Sequence, residues 1–232
     1  MLSEKLMYWA SKPLVGTYTG TMLKMDVQMH EKLHPGAKII AANHPSTSDP
    51  FFVAAMLRQQ VFILIKDLLF KVPGLGEYLR RSGHIPVQVG NGQAALQSAL
   101  AHLKAGHTIL IFPEGEISPL EGGFHKARTG VARLALLSGA PVIPVGIHLS
   151  RSRLHSIAST VDGKVEYGHW YVRGPYNITV GSPRQYTGEV ENWQQVRTVA
   201  DQVMYQIIEL AHESENRFNQ APDALVGALG AL

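Results

Sequence analysis

Runs of consecutive apolar residues alternate with segments of helical spacing through the first two thirds of the chain. Uninterrupted apolar runs of about four to eight residues are typical of strands that are buried on both faces, as in parallel sheets. This alternation predicts an α/β fold, with a mostly parallel central sheet flanked by helices and a short N-terminal helical segment. The predicted strands are 23–29, 37–42, 61–65, 84–89, 108–112 and 141–148, and the predicted helices are 50–58, 66–81 with a break at Pro73-Gly74, 92–104 and 126–138.

The two ends of the chain follow other patterns. Residues 1–20 place apolar side chains, Trp9 among them, at helical spacing beside lysines, which predicts an amphipathic segment that either contacts a membrane or packs on the core. The segment 165–180 is strand-like with breaks, and 192–216 has the spacing of a long amphipathic helix. The sequence therefore predicts three parts, which are the N-terminal helical segment 1–20, one domain over 21–217, and a weakly determined tail over 218–232 that is rich in Ala, Gly and Leu.

Composition and charge favour a membrane surface over a nucleic acid as the partner. Of the 232 residues, 45% are apolar and only 17% are charged, which is below the roughly one quarter usual for a soluble domain. The net charge of +3 and the isoelectric point near 9.1 suit anionic lipid headgroups but are too weak for a nucleic-acid footprint. No signal-peptide pattern and no spanning-length apolar window occur. We therefore expect a peripheral or monotopic membrane protein on the cytoplasmic face, with no nucleic-acid partner.

A histidine and an aspartate lie in the loop NHPSTSD at residues 43–49. The loop follows a predicted buried strand and precedes a helix with Pro50 at its first position, and ligands bind at this edge of an α/β sheet. Because the intervening residues are small, the chain can fold back so that Asp49 accepts a hydrogen bond from His44 Nδ1 and leaves Nε2 free as a base. The alternative is that Asp49 is an ordinary helix N-cap and that His44 is structural.

A second polar stretch, FPEGEIS at 112–118, follows another predicted strand and turns at Pro113-Glu114-Gly115. Together, NHPSTSD and FPEGEIS resemble two signature blocks of the glycerolipid acyltransferase family, which includes the 1-acylglycerol-3-phosphate acyltransferases. The resemblance covers residues 20–185, and four blocks in order are far more specific than any one of them. The further parts that match are Lys66 with Pro73 and Gly76, GHIPV at 83–87, and VIPV at 142–145.

The resemblance implies a glycerol-3-phosphate acyltransferase-like fold and an O-acyltransferase. In this chemistry His44, oriented by Asp49, takes the proton of a lysolipid hydroxyl, which attacks the thioester of acyl-CoA or of acyl-carrier protein. No acyl-enzyme, metal or bound cofactor is implied, and a chain without cysteine cannot form an acyl-cysteine. The residues implied to bind the substrate or to shape its loop are Asn43, Ser46, Glu114 and Gly115.

The chain departs from the family pattern where arginines are thought to hold the phosphate of the acceptor. Glu116 and Ile117 stand where the third block usually continues with Thr-Arg, and Val89 stands where the second block often ends in Arg. The leading acceptor is lysophosphatidate, and the alternative is a lysoglycolipid, an aminolipid or a sugar without that phosphate. Basic residues that either hold the phosphate instead or are simply solvated are Lys66, Lys126 and Arg128.

Two roles and two rival functions stay open at this point. Glu114 either accepts backbone hydrogen bonds that hold its loop or contacts the acceptor. The acyl chain needs an apolar groove, for which Phe51, Phe52 and residues 68–70 are candidates, although most of them suit the core equally well. The rival functions are a hydrolase in which His44 activates water, and a lipid-binding module without catalysis.

Overall fold

A seven-stranded sheet forms the centre of the molecule, in a computed structural model that describes residues 2–161 and 163–220 of the chain. Its strand order is β1-β9-β6-β2-β5-β3-β4. Among the described residues, five of the six neighbouring strand pairs are parallel and β6–β9 is antiparallel, so the predicted mostly parallel sheet is confirmed. The strands are β1 (Asp26–Met29), β2 (Lys38–Ala42), β3 (Val61–Lys66), β4 (Ile85–Val87), β5 (Thr108–Ile111), β6 (Val142–Leu149) and β9 (Tyr176–Val180).

Helices cover both faces of the sheet, which is why its central strands are apolar on both sides. In β2, Ile39 and Ala41 pack on one face, whereas Ile40 and Ala42 pack on the other. The first face carries α4, α5 and α6, and the second carries α1 and α2. The helices are α1 (Leu2–Thr21), α2 (Asp49–Met56), α3 (Leu75–Arg81), α4 (Gln93–Lys104), α5 (Gly130–Ser138) and α6 (Trp193–Gln220), and short 3₁₀ turns span Asp67–Lys71 and Arg151–Arg153.

Helix α6 lies against β6 at backbone contact distance. A Cβ atom on Gly146 would lie 2.0 Å from the backbone nitrogen of Ala211, so only glycine permits this approach. Ser214 of the same helix donates to the carbonyl of Gly146 at 3.0 Å. The C-terminal half of α6 is thereby held beside the second half of β6.

A hairpin outside the central sheet was only partly predicted. It pairs β7 (Leu154–Val161) with β8 (Lys164–Tyr171) in antiparallel register. The sequence predicts strand character from 165 onward but does not predict β7, because most of its side chains are exposed and show no apolar alternation. At its base, the backbone of β8 forms hydrogen bonds with Thr47 and Ser48 of the NHPSTSD loop.

Two helix starts differ from the predictions. Helix α2 begins at Asp49, which is therefore not an N-cap residue, because Ser48 takes the preceding position. Helix α5 begins at Gly130 rather than at 126, and the backbone N–H groups of His125 and Arg128 donate to Glu114 and to Pro113, which holds residues 125–128 against the loop that follows β5. Tertiary hydrogen bonds thus outweigh the helical spacing of these residues.

The two chain ends agree with the prediction only as far as they are described. Helix α1 covers most of the predicted N-terminal segment, and α6 extends to Gln220. The remainder of the predicted tail, 221–232, lies outside the described residues, and the division of the chain into three parts stays a prediction. In the part of the chain that the structure describes, no helix is both long and apolar enough to cross a bilayer.

Candidate active site

The two polar stretches lie side by side at the carboxyl edge of the sheet. They follow β2 and β5, which are parallel neighbours, so their loops leave the sheet at the same edge. The backbone N–H of His44 donates to Glu114 Oε1 at 2.9 Å. The carbonyl of His44 accepts a hydrogen bond from the N–H of Ser118 at 2.8 Å. The loops that the sequence places seventy residues apart therefore form one unit.

His44 and Asp49 form the pair that the loop sequence predicts. His44 Nδ1 lies 3.0 Å from Asp49 Oδ2, and the side chains are 16% and 0% exposed. Because a carboxylate only accepts hydrogen bonds, Nδ1 carries the proton and Nε2 of the neutral ring keeps its lone pair. The imidazole also stacks on Phe112, with ring centroids 4.1 Å apart. The ring is thus held in one orientation, with Nε2 available as a base.

The buried Asp49 carboxylate accepts three further hydrogen bonds. Ser46 donates from its backbone N–H to Oδ2 at 2.7 Å and from its hydroxyl to Oδ1 at 2.5 Å. The hydroxyl of Tyr176 in β9 donates to Oδ1 at 2.7 Å. Burial, and then the negative charge of Asp49, raise the pKa of Tyr176 well above its usual value, so the phenol stays protonated and donates. Tyr176 was not identified from the sequence, where it begins an ordinary apolar strand.

Asn43 joins the NHPSTSD loop to the neighbouring strand. Its side-chain amide donates to the carbonyl of Ile147 at 2.9 Å, and its side-chain oxygen accepts from the N–H of Ile147 at 2.7 Å. Asn43 is buried, and both of its polar atoms are used by β6. It therefore fixes the start of the loop and does not reach a substrate.

Of the two roles that the sequence allows for Glu114, its hydrogen bonds fit the one in which its carboxylate stabilises the loop. Its carboxylate accepts hydrogen bonds from the N–H of His44, from the hydroxyl of Ser118 at 2.7 Å and from the N–H of His125 at 2.8 Å. The residue is only 1% exposed. This burial leaves no room for the acceptor, so the substrate-binding role predicted for Glu114 is not supported by its position.

Gly115 follows in a left-handed conformation with φ +74°, which favours glycine. Its N–H donates to the carbonyl of Phe112 at 3.0 Å, and so it is already engaged. The side chain of Arg128 packs over this glycine, because a Cβ atom there would lie 2.3 Å from Arg128 Nε. Gly115 thus allows the backbone conformation of the turn and leaves space for the side chain of Arg128.

The three cations that the sequence offers as a phosphate site do not act as one group. Lys66 and Arg128 pair with different acidic residues. Lys66 Nζ lies 2.8 Å from both carboxylate oxygens of Glu166 in β8. The hydrogen bond from Arg197 lowers the pKa of Asp201 in α6, and the charge of Lys126 adds a smaller effect in the same direction. Arg128 lies 3.7 Å from Glu116 and donates to the carbonyl of Glu114 at 3.3 Å.

Arg151, which was not singled out from the sequence, lies at the same edge just after β6. Its guanidinium donates to the carbonyl of Pro119 at 2.6 Å and to that of Gly123 at 3.5 Å. Burial lowers the pKa of Arg151, whereas the charges of Glu114, Asp49, Glu121 and Glu215 raise it. The half-buried cation is therefore within electrostatic reach of the His44–Asp49 pair.

An apolar groove with a volume of about 430 Å³ lies between α1, α2 and the base of the hairpin. Of the acyl-chain candidates, Phe51 and Phe52 line it, whereas Leu68 and Phe70 are buried in the core. Ser48 of the NHPSTSD loop also lines this groove. A larger polar groove of about 790 Å³ beside α6 contains none of the candidate catalytic residues.

The described residues include no group of three or more His, Cys, Asp or Glu side chains suited to a metal ion. The predicted metal-free chemistry is not tested by this observation. It stays a prediction.

Comparison with known proteins gives three kinds of similarity. The model of the acyltransferase family matches residues 24–148. The chain is 28% identical over 138 residues to 1-acyl-sn-glycerol-3-phosphate acyltransferase of Limnanthes douglasii, which covers 56% of this chain and 48% of that protein. It is 29% identical over 119 residues to 1-acyl-sn-glycerol-3-phosphate acyltransferase of Limnanthes alba, which covers 48% of this chain and 42% of that protein. The match thus spans less than half the length of either relative.

The crystal structure of the 1-acyl-sn-glycerophosphate (LPA) acyltransferase PlsC from Thermotoga maritima is similar in fold. Its TM-score is 0.62 at 20% sequence identity, and the match covers 94% of this chain and 84% of that chain. The similarity in fold therefore covers nearly the whole chain, beyond the residues that the family model matches. The predicted fold class is thereby confirmed.

Proposed function

The chain belongs to the glycerolipid acyltransferase family, and from this premise we propose that it moves a fatty acyl group from an acyl thioester to the hydroxyl of a lysolipid. The observation that carries the proposal is the His44–Asp49 pair, which presents an oriented neutral imidazole beside the turn of the third block. General-base catalysis by such a group contributes typically about 10²–10⁴-fold to a rate.

The reaction needs one proton carrier and no covalent enzyme intermediate. His44 Nε2 takes the proton of the acceptor hydroxyl while its oxygen attacks the carbonyl carbon of the thioester. The tetrahedral intermediate collapses, the carbon–sulfur bond breaks, and the imidazolium returns the proton to the leaving thiolate. Asp49 stabilises the imidazolium that exists between these steps. The products are an ester and a free thiol, with His44 neutral again.

We propose lysophosphatidate as the acceptor and acyl-CoA or acyl-carrier protein as the donor. The two Limnanthes relatives are named for acylation of 1-acyl-sn-glycerol-3-phosphate, which supports this acceptor. Both donors present the same thioester, and the proposed chemistry is the same for each. An acceptor without the phosphate remains the alternative, because Ile117 and Val89 occupy places where the family has arginines.

The apolar groove is the proposed site of an acyl chain. Its lining includes Phe51, Trp170 and Val172, and almost all of its exposed surface is apolar. Ser48 lines the groove and directly precedes Asp49. His44 and Asp49 do not line the groove, so the assignment is supported by its apolar lining and by its contact with the loop that carries them.

We further propose that the protein works as a peripheral or monotopic protein on the cytoplasmic face of a membrane. Lysolipids reside in bilayers, so their ester-forming hydroxyl is most available at the bilayer surface. The net charge of +3 suits anionic lipids. Leu14 of α1, 75% exposed at the mouth of the groove, offers apolar contact with such a surface.

The test of the proposed function is acyl transfer by the full chain with lysophosphatidate and either thioester. In His44→Ala, we expect the transfer rate to fall at least about 100-fold, because the general base is removed. The unfolding midpoint and vesicle binding should stay near those of the wild type. The matched control is His34→Ala, which removes an exposed histidine outside the site and should retain full activity.

Three results would contradict the proposal. If His44→Ala keeps a tenth of the wild-type rate or more, His44 is not the base. Thioester consumption that is equally fast without an acceptor would instead indicate a hydrolase. Lipid binding without any thioester consumption would indicate a module without catalysis.

A further inference from the structure

We propose that Arg151 binds the phosphate monoester of the lysolipid acceptor, in place of the family arginines that this chain lacks. This inference rests on the proposed acyl transfer at the same site. It assigns the phosphate to a strand end outside the second and third blocks.

The position of Arg151 follows from the order of the strands. Strand β6 is the parallel neighbour of β2, with Ala42 beside Val145. Asn43 is hydrogen-bonded to Ile147, so the chain that carries His44 runs beside the last residues of β6. Arg151 follows directly after β6, at the edge where His44 leaves β2. The cation is thus brought to the site by the sheet itself.

The guanidinium is held at this place by the loop that also holds His44. Arg151 donates to the carbonyls of Pro119 and Gly123. The same loop contains Ser118, whose N–H donates to the carbonyl of His44. Within the described residues, Arg151 forms no ion pair, although Lys66 and Arg128 each do. Of the five N–H donors of a guanidinium, two are used by the carbonyls, and the others can bind an anion.

The local charges explain why a phosphate needs a cation here. Asp49 and Glu114 are buried carboxylates at the site, and both act on Arg151. Glu121 and Glu215 add further negative charge to its surroundings. A phosphate dianion brought beside these carboxylates would be repelled unless a cation lay between them. Arg151 is a half-buried cation near these carboxylates, and its planar fork matches two phosphate oxygens at once.

Lys66 and Arg128 suit this task less well. Lys66 is held by both oxygens of Glu166. Arg128 is paired with Glu116 at 3.7 Å. To bind a phosphate, each would first have to leave a carboxylate, whereas Arg151 would keep its contacts to neutral carbonyls.

The test measures lysophosphatidate binding to the full chain in the absence of any thioester, so that no turnover is needed. Arg151→Gln keeps a hydrogen-bond donor for the loop but removes the charge. We expect its dissociation constant for lysophosphatidate to rise at least about tenfold, the loss expected for a charge-assisted hydrogen bond. The constants for a monoacylglycerol with the same chain and for free CoA should change less than about twofold.

Arg153→Gln is the matched control, because Arg153 is an exposed arginine on the same 3₁₀ turn. It should leave lysophosphatidate binding unchanged. If it weakens binding as much as Arg151→Gln does, the effect is general electrostatic attraction and the inference is wrong. If Arg151→Gln does not fold, Arg151→Lys replaces it, since lysine keeps the charge but loses the fork. A selective loss of lysophosphatidate binding supports the inference, and equal losses for both lipids overturn it.

The remaining outcomes separate this inference from the proposed function. Equal weakening of both lipids by Arg151→Gln would mean that Arg151 only holds its loop. If Arg151→Gln weakens the binding of CoA instead, Arg151 binds a phosphate of the donor. If the wild type does not bind lysophosphatidate, the proposed phosphate site does not exist. Each of these overturns the inference. Binding that depends on Arg151 in a protein that transfers no acyl group would uphold the inference and overturn the proposed function.

Discussion

Asp49 shows how a single buried carboxylate can be stabilised while it orients a neighbour. Its two oxygens accept hydrogen bonds from His44, from Tyr176 and twice from Ser46. An isolated buried charge costs several kcal/mol, and this cost is offset only when its lone pairs are used. All of the roughly four lone-pair sites of a carboxylate are occupied here. The carboxylate is therefore fixed in position, and the imidazole is fixed with it.

Two buried tyrosines allow this stabilisation to be measured. Tyr176→Phe removes a donor to a charged oxygen, so we expect the free energy of unfolding to fall by about 1.5–3 kcal/mol. Tyr171→Phe is the matched control, since Tyr171 is equally buried but donates to the neutral carbonyl of Pro175 at 2.8 Å. Its loss should be about 1 kcal/mol. Urea titrations measure the free energy of unfolding of both variants. Equal losses would mean that the hydrogen bond to Asp49 stabilises the protein no more than one to a neutral carbonyl.

The contact that the sequence predicted correctly joins two residues that are close along the chain. His44 and Asp49 lie in one loop of small residues, so their contact follows from local geometry. Tyr176 lies 127 residues from Asp49 and reaches it only because β9 pairs with β6. Arg151 likewise enters the site through strand order. No local pattern distinguishes such residues from an ordinary apolar strand or a solvated turn.

At the scale of secondary-structure elements, His84 links β3 to the turn before β4. The N–H of Ile63 donates to His84 Nδ1 at 3.3 Å, so the ring must be neutral at this nitrogen. Burial lowers the pKa of His84 from 6.5 to about 4. The folded protein therefore does not bind a proton here at pH values where the unfolded chain does.

This difference predicts a loss of stability in weak acid. Because the folded-state pKa is below the unfolded value, stability is lost as the pH falls from about 6.5 toward about 4. Between pH 7 and pH 5 we expect His84 to account for a loss of about 2 kcal/mol. His84→Gln keeps an acceptor but does not titrate, so its unfolding free energy should depend less on pH by that amount.

The control for this experiment is His34→Gln, which removes an exposed histidine. Its pH dependence should equal that of the wild type. Urea titrations at both pH values measure all three proteins. If the His84→Gln and wild-type curves run parallel, His84 does not titrate as its burial requires.

The elements that the sequence predicted well are those buried on both faces. The run 39–42 is apolar throughout because β2 lies in the middle of the sheet with helices on both sides. Strand β7 lacks such a run, since it belongs to a hairpin that is largely exposed. The start of α5 was wrong by four residues, because residues 125–128 are instead held against the loop after β5 by hydrogen bonds to Glu114 and Pro113. Periodicity reports burial, and it does not report hydrogen bonds between distant loops.

At the scale of the whole molecule, large apolar side chains are exposed on the hairpin and on α1, and others are exposed on α5 and α6. Val165 and Tyr167 of the hairpin are 59% and 64% exposed, and Leu14 of α1 is 75% exposed. The hydroxyl of Tyr18 in α1 donates to the carbonyl of Val172, which joins the helix to the chain after the hairpin. Isolated hairpins with exposed apolar residues are unusual in water. This surface suits the interface of a bilayer.

A double variant of the hairpin tests this surface. In Val165→Ser with Tyr167→Ser, we expect partitioning onto vesicles of phosphatidylcholine and phosphatidylglycerol to fall about tenfold, because apolar area is lost. Tyr205→Ser is the matched control, since Tyr205 is 65% exposed on α6, across the sheet. In this control, the fraction of protein that sediments with the vesicles should equal that of the wild type. An equal loss in both variants would exclude the hairpin as the specific contact.

The base of the hairpin has a consequence for how such an enzyme responds to its surroundings. The N–H of Thr47 donates to the carbonyl of His169 at 2.8 Å, and the N–H of Tyr171 donates to the hydroxyl of Ser48 at 3.1 Å. Thr47 and Ser48 lie in the segment between His44 and Asp49. A lipid layer that immobilises the hairpin would therefore also damp motion of that segment. If His44 acts as proposed, turnover should therefore respond to immobilisation of the hairpin, which a comparison of substrate in vesicles with substrate as dispersed monomers would measure.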